Sequence, residues 1–389
     1  MRVLVISNDV IPGFGVPVAA PGLRAAGIAA GLRSHGFDVD ITVPVGVIEQ
    51  LFPGGAPPAP ETVSIVDPRE LVSFISDGGY TAVVFSNANM TPHLQPVAGV
   101  LFVFDLFAPK LLEALASPAG GRPWQEMVAE KERGMALADM VWVNGRRKLG
   151  YALGWLLRTS VEQYRKEMGL ASLVDAGLIE RITLVEMPVP LPEGLSHVPP
   201  DRAGQEPIRL GVAGYAQAWS SLDAVHPAHR QLVDAGHELH ALVPPHWGGP
   251  ASATPTNHLP PSTIAHGGPL RYTPFGQWIQ SMDAMVDVFT PSAERRFAMI
   301  TRSAVSLRLG VPLLHGVDSE VADIIRAYDA GWVLDADDED AWRRAAQEVA
   351  DPVQLARKRA GAQQASIERF APSRALADAA KALREAHER

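Results

Sequence analysis

Arg2-Val-Leu-Val-Ile-Ser7 is an almost wholly apolar run, and a loop carrying Pro12, Gly13, Gly15, Pro17, Pro21 and Gly22 follows it. Small residues then fill a helical stretch from about Leu23 to His35, which Gly36 ends, and a second strand runs from Asp38 to Pro44. A strand apolar on both faces belongs in a parallel sheet covered on both sides. Strand, glycine-rich turn, helix and strand in that order open a doubly wound α/β domain. Further strands are expected at Val63–Val66, Thr81–Ser86, Val100–Asp105, Met140–Asn144 and Thr183–Glu186, with helical patterns between several of them. The Gly- and Pro-rich stretch Glu49–Pro60 reads as a loop.

Working outward, Pro188–Pro207 holds six prolines and no periodicity, the mark of a linker. The alternation then restarts. Strands are expected at Ile208–Ala213, His237–Val243, Thr263–Ala265, Ala284–Thr290, Val311–His315 and Trp332–Leu334. Helices are expected at Ser221–Ala235, Arg295–Leu309 and Glu320–Tyr328, then at Glu339–Glu368 with a break at Pro352, and at Ser373–His387. The division is therefore 1–187 and 208–372 as two α/β domains, 188–207 as linker, and 373–389 as a helix that packs back on the first domain. Two Rossmann-like doubly wound domains would face each other across a cleft.

Composition agrees. With 389 residues, 47% hydrophobic and 20% charged, the chain can fill two cores at roughly 100–200 residues per domain. The absence of cysteine removes disulfides, thiolate catalysis and Cys-ligated metals. A net charge of −9 argues against a nucleic-acid partner. The opening apolar run is too short for a signal peptide, and no run approaches the ~18–20 apolar residues of a membrane span. The expectation is a soluble, cytoplasmic protein. Gly145-Arg-Arg-Lys148 with Leu149–Leu157 reads as a helix start packed on its own domain in preference to a basic membrane-facing helix.

Two stretches carry chemistry. In the loop Asn8–Arg24, glycines 13, 15 and 22 would let backbone approach a ligand closely, and the next helix offers N–H groups to an anion. The loop reads equally as a turn that needs glycine, since its spacing does not match the dinucleotide fingerprint G-x-G-x-x-G. In Phe289-Thr-Pro-Ser-Ala-Glu294-Arg-Arg-Phe-Ala-Met-Ile-Thr301-Arg302 a strand ends and a helix begins. Open α/β sheets bind ligands at such a place. Glu294 could accept hydrogen bonds from sugar hydroxyls, while Arg295, Arg296 or Arg302 could hold a diphosphate. A helix cap with arginines on a solvated face is the other reading.

The continuation through Gly310-Val-Pro312 makes this stretch resemble the donor-site helix of family-4 glycosyltransferases with the GT-B fold. In a bacterial subgroup it reads approximately E-x-x-x-A-F-R-T-R, a helix and G-x-P, and Glu294, Ala298, Thr301, Arg302, Gly310 and Pro312 match. Ala20-Pro-Gly-Leu-Arg24 is similar to the subgroup's G-P-G-I/L-R loop, and Val103-Phe-Asp105-Leu-Phe-Ala-Pro109-Lys-Leu-Leu-Glu113 to its D-L-Y/F-x-P-x-x-x-E strand end. Ala138–Arg147 resembles another of its strands, and Gly214-Tyr-Ala-Gln-Ala-Trp219-Ser-Ser-Leu-Asp223 its G-x-x-x-x-W-x-D-P element. The five stretches are collinear from about residue 2 to 335.

The resemblance implies a metal-independent transfer of sugar from a nucleotide diphosphate sugar to an acceptor hydroxyl, with retention, and no separate cofactor. Glu294 would contact the transferred sugar, Thr301 would belong to the donor helix, and Arg302 would be the first cation on the diphosphate. Gly15 and Gly22 would line the phosphate side, with Arg24 near donor or acceptor. Asp105 would orient an acceptor hydroxyl or act as base, or else cap the next helix. Trp219 and Asp223 would sit by the base or sugar. Departures are plain. Arg302 stands where most family-4 enzymes carry a second Glu, no basic pair is visible in Ala213–His229, and His93 is the sole candidate for the usual first-domain histidine. A catalytically silent homologue serving as an auxiliary or partner-binding subunit, or a nucleotide-sugar epimerase, stays open.

Overall fold

The computed structural model describes residues 1–55, 57–86, 88–116, 122–167, 179–202, 206–214, 226–243 and 259–388. The chain forms two compact units, Met1–Pro190 with Pro372–Arg389, and Leu191–Ala371. No helix among the described residues is long and apolar enough to cross a membrane.

In the first unit seven parallel strands lie in the order β3-β2-β1-β4-β5-β6-β7. They are β1 (Arg2–Ile6), β2 (Asp38–Pro44), β3 (Val63–Val66), β4 (Ala82–Ser86), β5 (Leu101–Leu106), β6 (Met140–Val143) and β7 (Ile182–Leu184). The helices are α1 (Ala20–Ser34), α2 (Val45–Leu51), α3 (Leu71–Asp77), α4 (Lys110–Ala116), α5 (Trp124–Leu137) and α6 (Lys148–Glu167). Val3 to Ile6 and Val83 to Phe85 are buried on both sheet faces, as continuous apolar runs require. Chain order reverses direction between β1 and β4, so a crevice opens at their C-terminal ends. There the Asn8 side-chain amide donates to the Ser86 carbonyl at 2.6 Å and bridges the two strands.

Three glycines shape α1, and their reason is packing. A Cβ on Gly22 would collide with the Val10 carbonyl, one on Gly27 with the Pro188 carbonyl, and one on Gly31 with Leu376. Helix propensity is given up so that three chain segments can lie close against the helix on different sides. The expected loop over 49–60 begins later than the sequence suggests. Val45–Leu51 is helical directly after β2, and the Gly and Pro residues that signalled the loop lie beyond it. Lys148, expected at a helix start, is wholly buried, with its ammonium on the Phe107 carbonyl and the Asn144 side chain.

In the second unit six parallel strands lie in the order β10-β9-β8-β11-β12-β13. They are β8 (Arg209–Ala213), β9 (Glu238–Leu242), β10 (Ile264–Ala265), β11 (Ala284–Asp287), β12 (Leu313–Gly316) and β13 (Gly331–Leu334). Around them lie α7 (His226–Asp234), α8 (Tyr272–Gln280), α9 (Ala293–Phe297), α10 (Thr301–Arg308), α11 (Glu320–Tyr328), α12 (Glu339–Ala350) and α13 (Pro352–Ala365). The short α14 (Pro372–Ala375) and α15 (Ala377–Glu388) belong to the first unit. The reversal here falls between β8 and β11.

Residues 191–199, expected as linker, are packed into the second unit. The Gln280 amide donates to the Ser196 carbonyl at 2.7 Å, and Pro192 and Leu195 lie against Gly276. The single helix expected over Arg295–Leu309 is two, because the backbone turns extended at Ala298 and Ile300, with ψ of 135° and 109°, and the buried Ala298, Met299 and Ile300 join α9 to α10.

Candidate functional site

The interruption between α9 and α10 sends two guanidiniums to one carboxylate at the C-terminal end of β11. Asp287 Oδ1 accepts from Arg295 Nη2 at 3.0 Å, and from Arg302 Nε and Nη2 at 3.1 and 2.9 Å. Ser303 donates its hydroxyl to Oδ2. Burial opposes the charge on Asp287, but Arg302, Arg295, His315 and the Ser303 hydroxyl outweigh it, and the carboxyl is held far below the usual carboxylate range. Two cations thus share one carboxylate, and the charge of the adjacent Glu294 also acts on Arg295. Phe289 backs both guanidiniums, with its ring centroid 4.8 Å from Arg295 and 4.1 Å from Arg302.

Arg302 also reaches across the strand reversal. Gly214, at the end of β8, has φ of +121°, and a Cβ there would stand 2.8 Å from Arg302 Nη1. Glycine is required both by its backbone conformation and by the guanidinium that fills its side-chain space. Behind Asp287, His315 Nδ1 donates to the Gly316 carbonyl at 2.8 Å, which fixes the tautomer. Burial pushes His315 down to about 4, so the ring is neutral at pH 7. Its Nε2 stands 3.7 Å from Asp287 Oδ2 without a hydrogen bond. A cavity of about 40 Å³ lies beside Phe289, Arg295, His315 and Ser319.

Glu294 is buried in the first turn of α9, which Ser292 caps by accepting the Arg295 N–H at 3.2 Å. Thr301 opens α10, whose N-cap Ile300 has no side-chain acceptor for the first-turn N–H groups. Arg296 points away and pairs with Asp318 at 2.9 Å on the surface.

In the first unit Arg24 and Asp105 face each other. Arg24 Nε and Nη2 donate to the two Asp105 oxygens at 2.7 and 2.6 Å, and Nη1 donates to the Glu186 carbonyl at 2.8 Å. The side chains are 1% and 0% exposed. Each carboxylate oxygen thus accepts from Arg24, so Asp105, where a base was expected, stands as the internal counter-ion of Arg24, and Arg24 is turned inward onto it. Gly22 likewise is filled by the Val10 carbonyl, while Gly15 has φ of +74° and open space at its Cβ position. The neighbouring Asp9 was not anticipated. Burial pushes its carboxyl up to about 6, against the hydrogen bond it accepts from the Val10 N–H at 2.7 Å.

No family model and no curated protein matches the sequence. Solved structures do. Sucrose-phosphate synthase from Thermosynechococcus elongatus superposes at a TM-score of 0.64 with 11% identity, over 100% of this chain and 99% of that one. HepE of Anabaena, in complex with UDP and glucose, gives 0.65 with 12% identity over 99% of both chains. The catalytic domain of starch synthase IV from Arabidopsis thaliana, bound to ADP and acarbose, gives 0.65 with 8% identity over 100% and 99%. The chain has the GT-B fold.

Within the GT-B fold the structure brings Arg295, Thr301 and Arg302 to one end of β11 with Glu294 alongside, and sends Arg296 elsewhere. Trp219 and Asp223 lie outside the described residues. His93 ends the short helix Ala88–His93 after β4. Among the described residues no three His, Asp or Glu side chains group as a metal site. Asp287 was missed, although an acid inside the apolar run Ala284–Phe289 was a readable signal.

Proposed function

We propose that this GT-B protein transfers a sugar from a nucleotide diphosphate sugar to an acceptor hydroxyl, without a metal ion and with retention, as the family-4 resemblance implies. One observation carries the reading, namely Arg302 and Arg295 fixed on Asp287 at the point where the second sheet reverses its strand order. Asp287 orients the two guanidiniums before any ligand arrives, and their N–H donors together with the uncapped first turn of α10 suit a diphosphate. In transfer the same groups would stabilise the charge that develops on the leaving diphosphate. Glu294 would accept hydrogen bonds from the sugar hydroxyls. Asp105 takes no part in the proposed chemistry. HepE, in the complex with UDP and glucose, supports a donor of this class.

The test is a thermal-shift screen of UDP, GDP and TDP and their sugars on wild type and Arg302→Ala. A nucleotide at a hundredfold its Kd stabilises the folded state by about 2.7 kcal/mol. A shift with one nucleotide diphosphate that Arg302→Ala removes is the expected result. No shift with any nucleotide, in a folded protein, would overturn the proposal.

A further inference from the structure

A cavity of about 310 Å³ lies wholly within the first unit, between the end of β5, α4 and α5. That volume is at the small end of ligand sites. Its apolar wall includes Phe104, Phe107, Leu111 and Met127. Of its charged lining groups, Asp105, Lys110, Arg122 and Glu130 are paired. Arg24 holds Asp105 at 2.6 Å, Lys110 holds Glu113 at 2.8 Å, and Arg122 holds Glu130.

Lys131 breaks the pattern. It is 3% exposed, lines the cavity, and among the described residues has no carboxylate within ion-pair distance. Its ammonium nitrogen is 3.5 Å from the Tyr151 hydroxyl, longer than an ordinary hydrogen bond. It lies 5.1 and 5.7 Å from the Tyr151 and Trp155 ring centroids on α6. Burial brings the amine down to about 7, against a smaller upward pull from Glu113. Among the described residues that line the cavity, the other two cations, Lys110 and Arg122, are each paired with a carboxylate, so a negative charge is missing beside this amine.

We infer that this cavity is the acceptor subsite and takes a small hydroxyl-bearing acid, whose single carboxylate pairs with Lys131 while its apolar body lies against Phe104, Phe107 and Met127. The inference rests on the glycosyl-transfer reading and names the acceptor class for it. Among the described lining residues Lys131 is the cation without a carboxylate at ion-pair distance, which favours a monoanionic carboxylate over a phosphate. Because the amine is half-neutral near pH 7, the carboxylate binds with proton uptake. Affinity is constant below pH 7 and falls about tenfold per pH unit above it, until the pKa of the paired amine is reached. The pairs Arg24–Asp105, Lys110–Glu113 and Arg122–Glu130 and the Tyr151 phenol are the other ionisable groups facing the site.

Titration calorimetry on the full chain tests this with 4-hydroxybenzoate, 4-hydroxycinnamate and their primary amides, between pH 6.5 and 9. At least one acid should bind tenfold or more tighter than its amide at pH 6.5, with close to one proton taken up at pH 8, measured in buffers of different ionisation heat. Lys131→Met should erase the acid-over-amide preference without lowering the melting temperature. The comparison of acid with amide on wild type needs no variant to fold. Equal binding of acid and amide, or no binding of either acid, overturns the inference. Nucleotide binding measured on the same preparation separates the two readings. Nucleotide binding without an acid preference overturns the acceptor assignment alone. An acid preference in a protein that binds no nucleotide overturns the cavity's role in transfer together with the parent proposal.

Discussion

The buried Arg24–Asp105 pair should act as a single structural unit, and a double-mutant cycle would show it. Replacing Arg24 by Met strips both charged hydrogen bonds from a carboxylate that is 0% exposed. Replacing Asp105 by Leu leaves a guanidinium 1% exposed with only the Val185 and Glu186 carbonyls. Each hydrogen bond to a charged group is worth about 1.5–3 kcal/mol. Breaking a buried pair at one end typically costs about 3–5 kcal/mol, so each single variant should lose that much. The double variant Arg24→Met/Asp105→Leu should lie within about 2 kcal/mol of wild type, because no buried charge is left unmatched. Urea unfolding read by hydrogen exchange in peptides covering α1 and β5 confines the measurement to the first unit, as a two-unit chain demands. The Arg24→Met loss should also shrink as pH falls from 8 to 5, since the orphaned carboxylate can then take a proton. Single variants that each lose less than about 1 kcal/mol, or a double variant that loses the sum, would refute the reasoning. Should the stable double variant lose hundredfold or more in transfer rate, as removal of a general base does, Asp105 would return to the chemistry.

Gly22→Ala should destabilise the first unit by about 1–3 kcal/mol because its Cβ meets the Val10 carbonyl, whereas Gly15→Ser has the space and strains only its φ of +74°; thermal melts of the two variants compare them. Asp9 is raised on folding to about 6, so its contribution to stability is full below the unfolded value near 4 and is lost as pH rises through 6. Asp9→Asn, which keeps the acceptor for the Val10 N–H, should therefore stabilise the protein at pH 7 by about 1–2 kcal/mol after allowance for solvent screening and gain nothing at pH 4. A gain that is independent of pH would show that this carboxyl is not shifted.

The fold was legible because its signals are local. Apolar runs such as Val3–Ile6, with Gly and Pro between them, mark strands and turns without knowledge of what packs on them. Arg302 and Glu294 were readable from their position after a strand. What stood out of reach needs three dimensions. The pairing of Arg24 with Asp105 spans eighty-one positions, and nothing near either residue announces the other. Gly22 reads as a phosphate-loop glycine until the Val10 carbonyl is seen against it. Lys131 sits in the charged run Glu130-Lys-Glu-Arg133 and looks like surface, yet α5 turns it inward. Burial alone changed these roles, and burial has no signature in a short window.

The second unit is one continuous stretch, while the first is completed only by residues from 372 onward. Pro372 and Leu376 close over Gly31, and the Ser373 carbonyl meets the His35 ring at 2.7 Å. On the ribosome, α1 must therefore wait for its cover while residues 191–371 are made, roughly 10–40 s at ordinary rates of synthesis. Through that interval the turn of α1 at Gly31 lacks the cover that Pro372 and Leu376 later supply. The segment from residue 372 onward, made after the whole of the second unit, thus acts as the latch on the first unit.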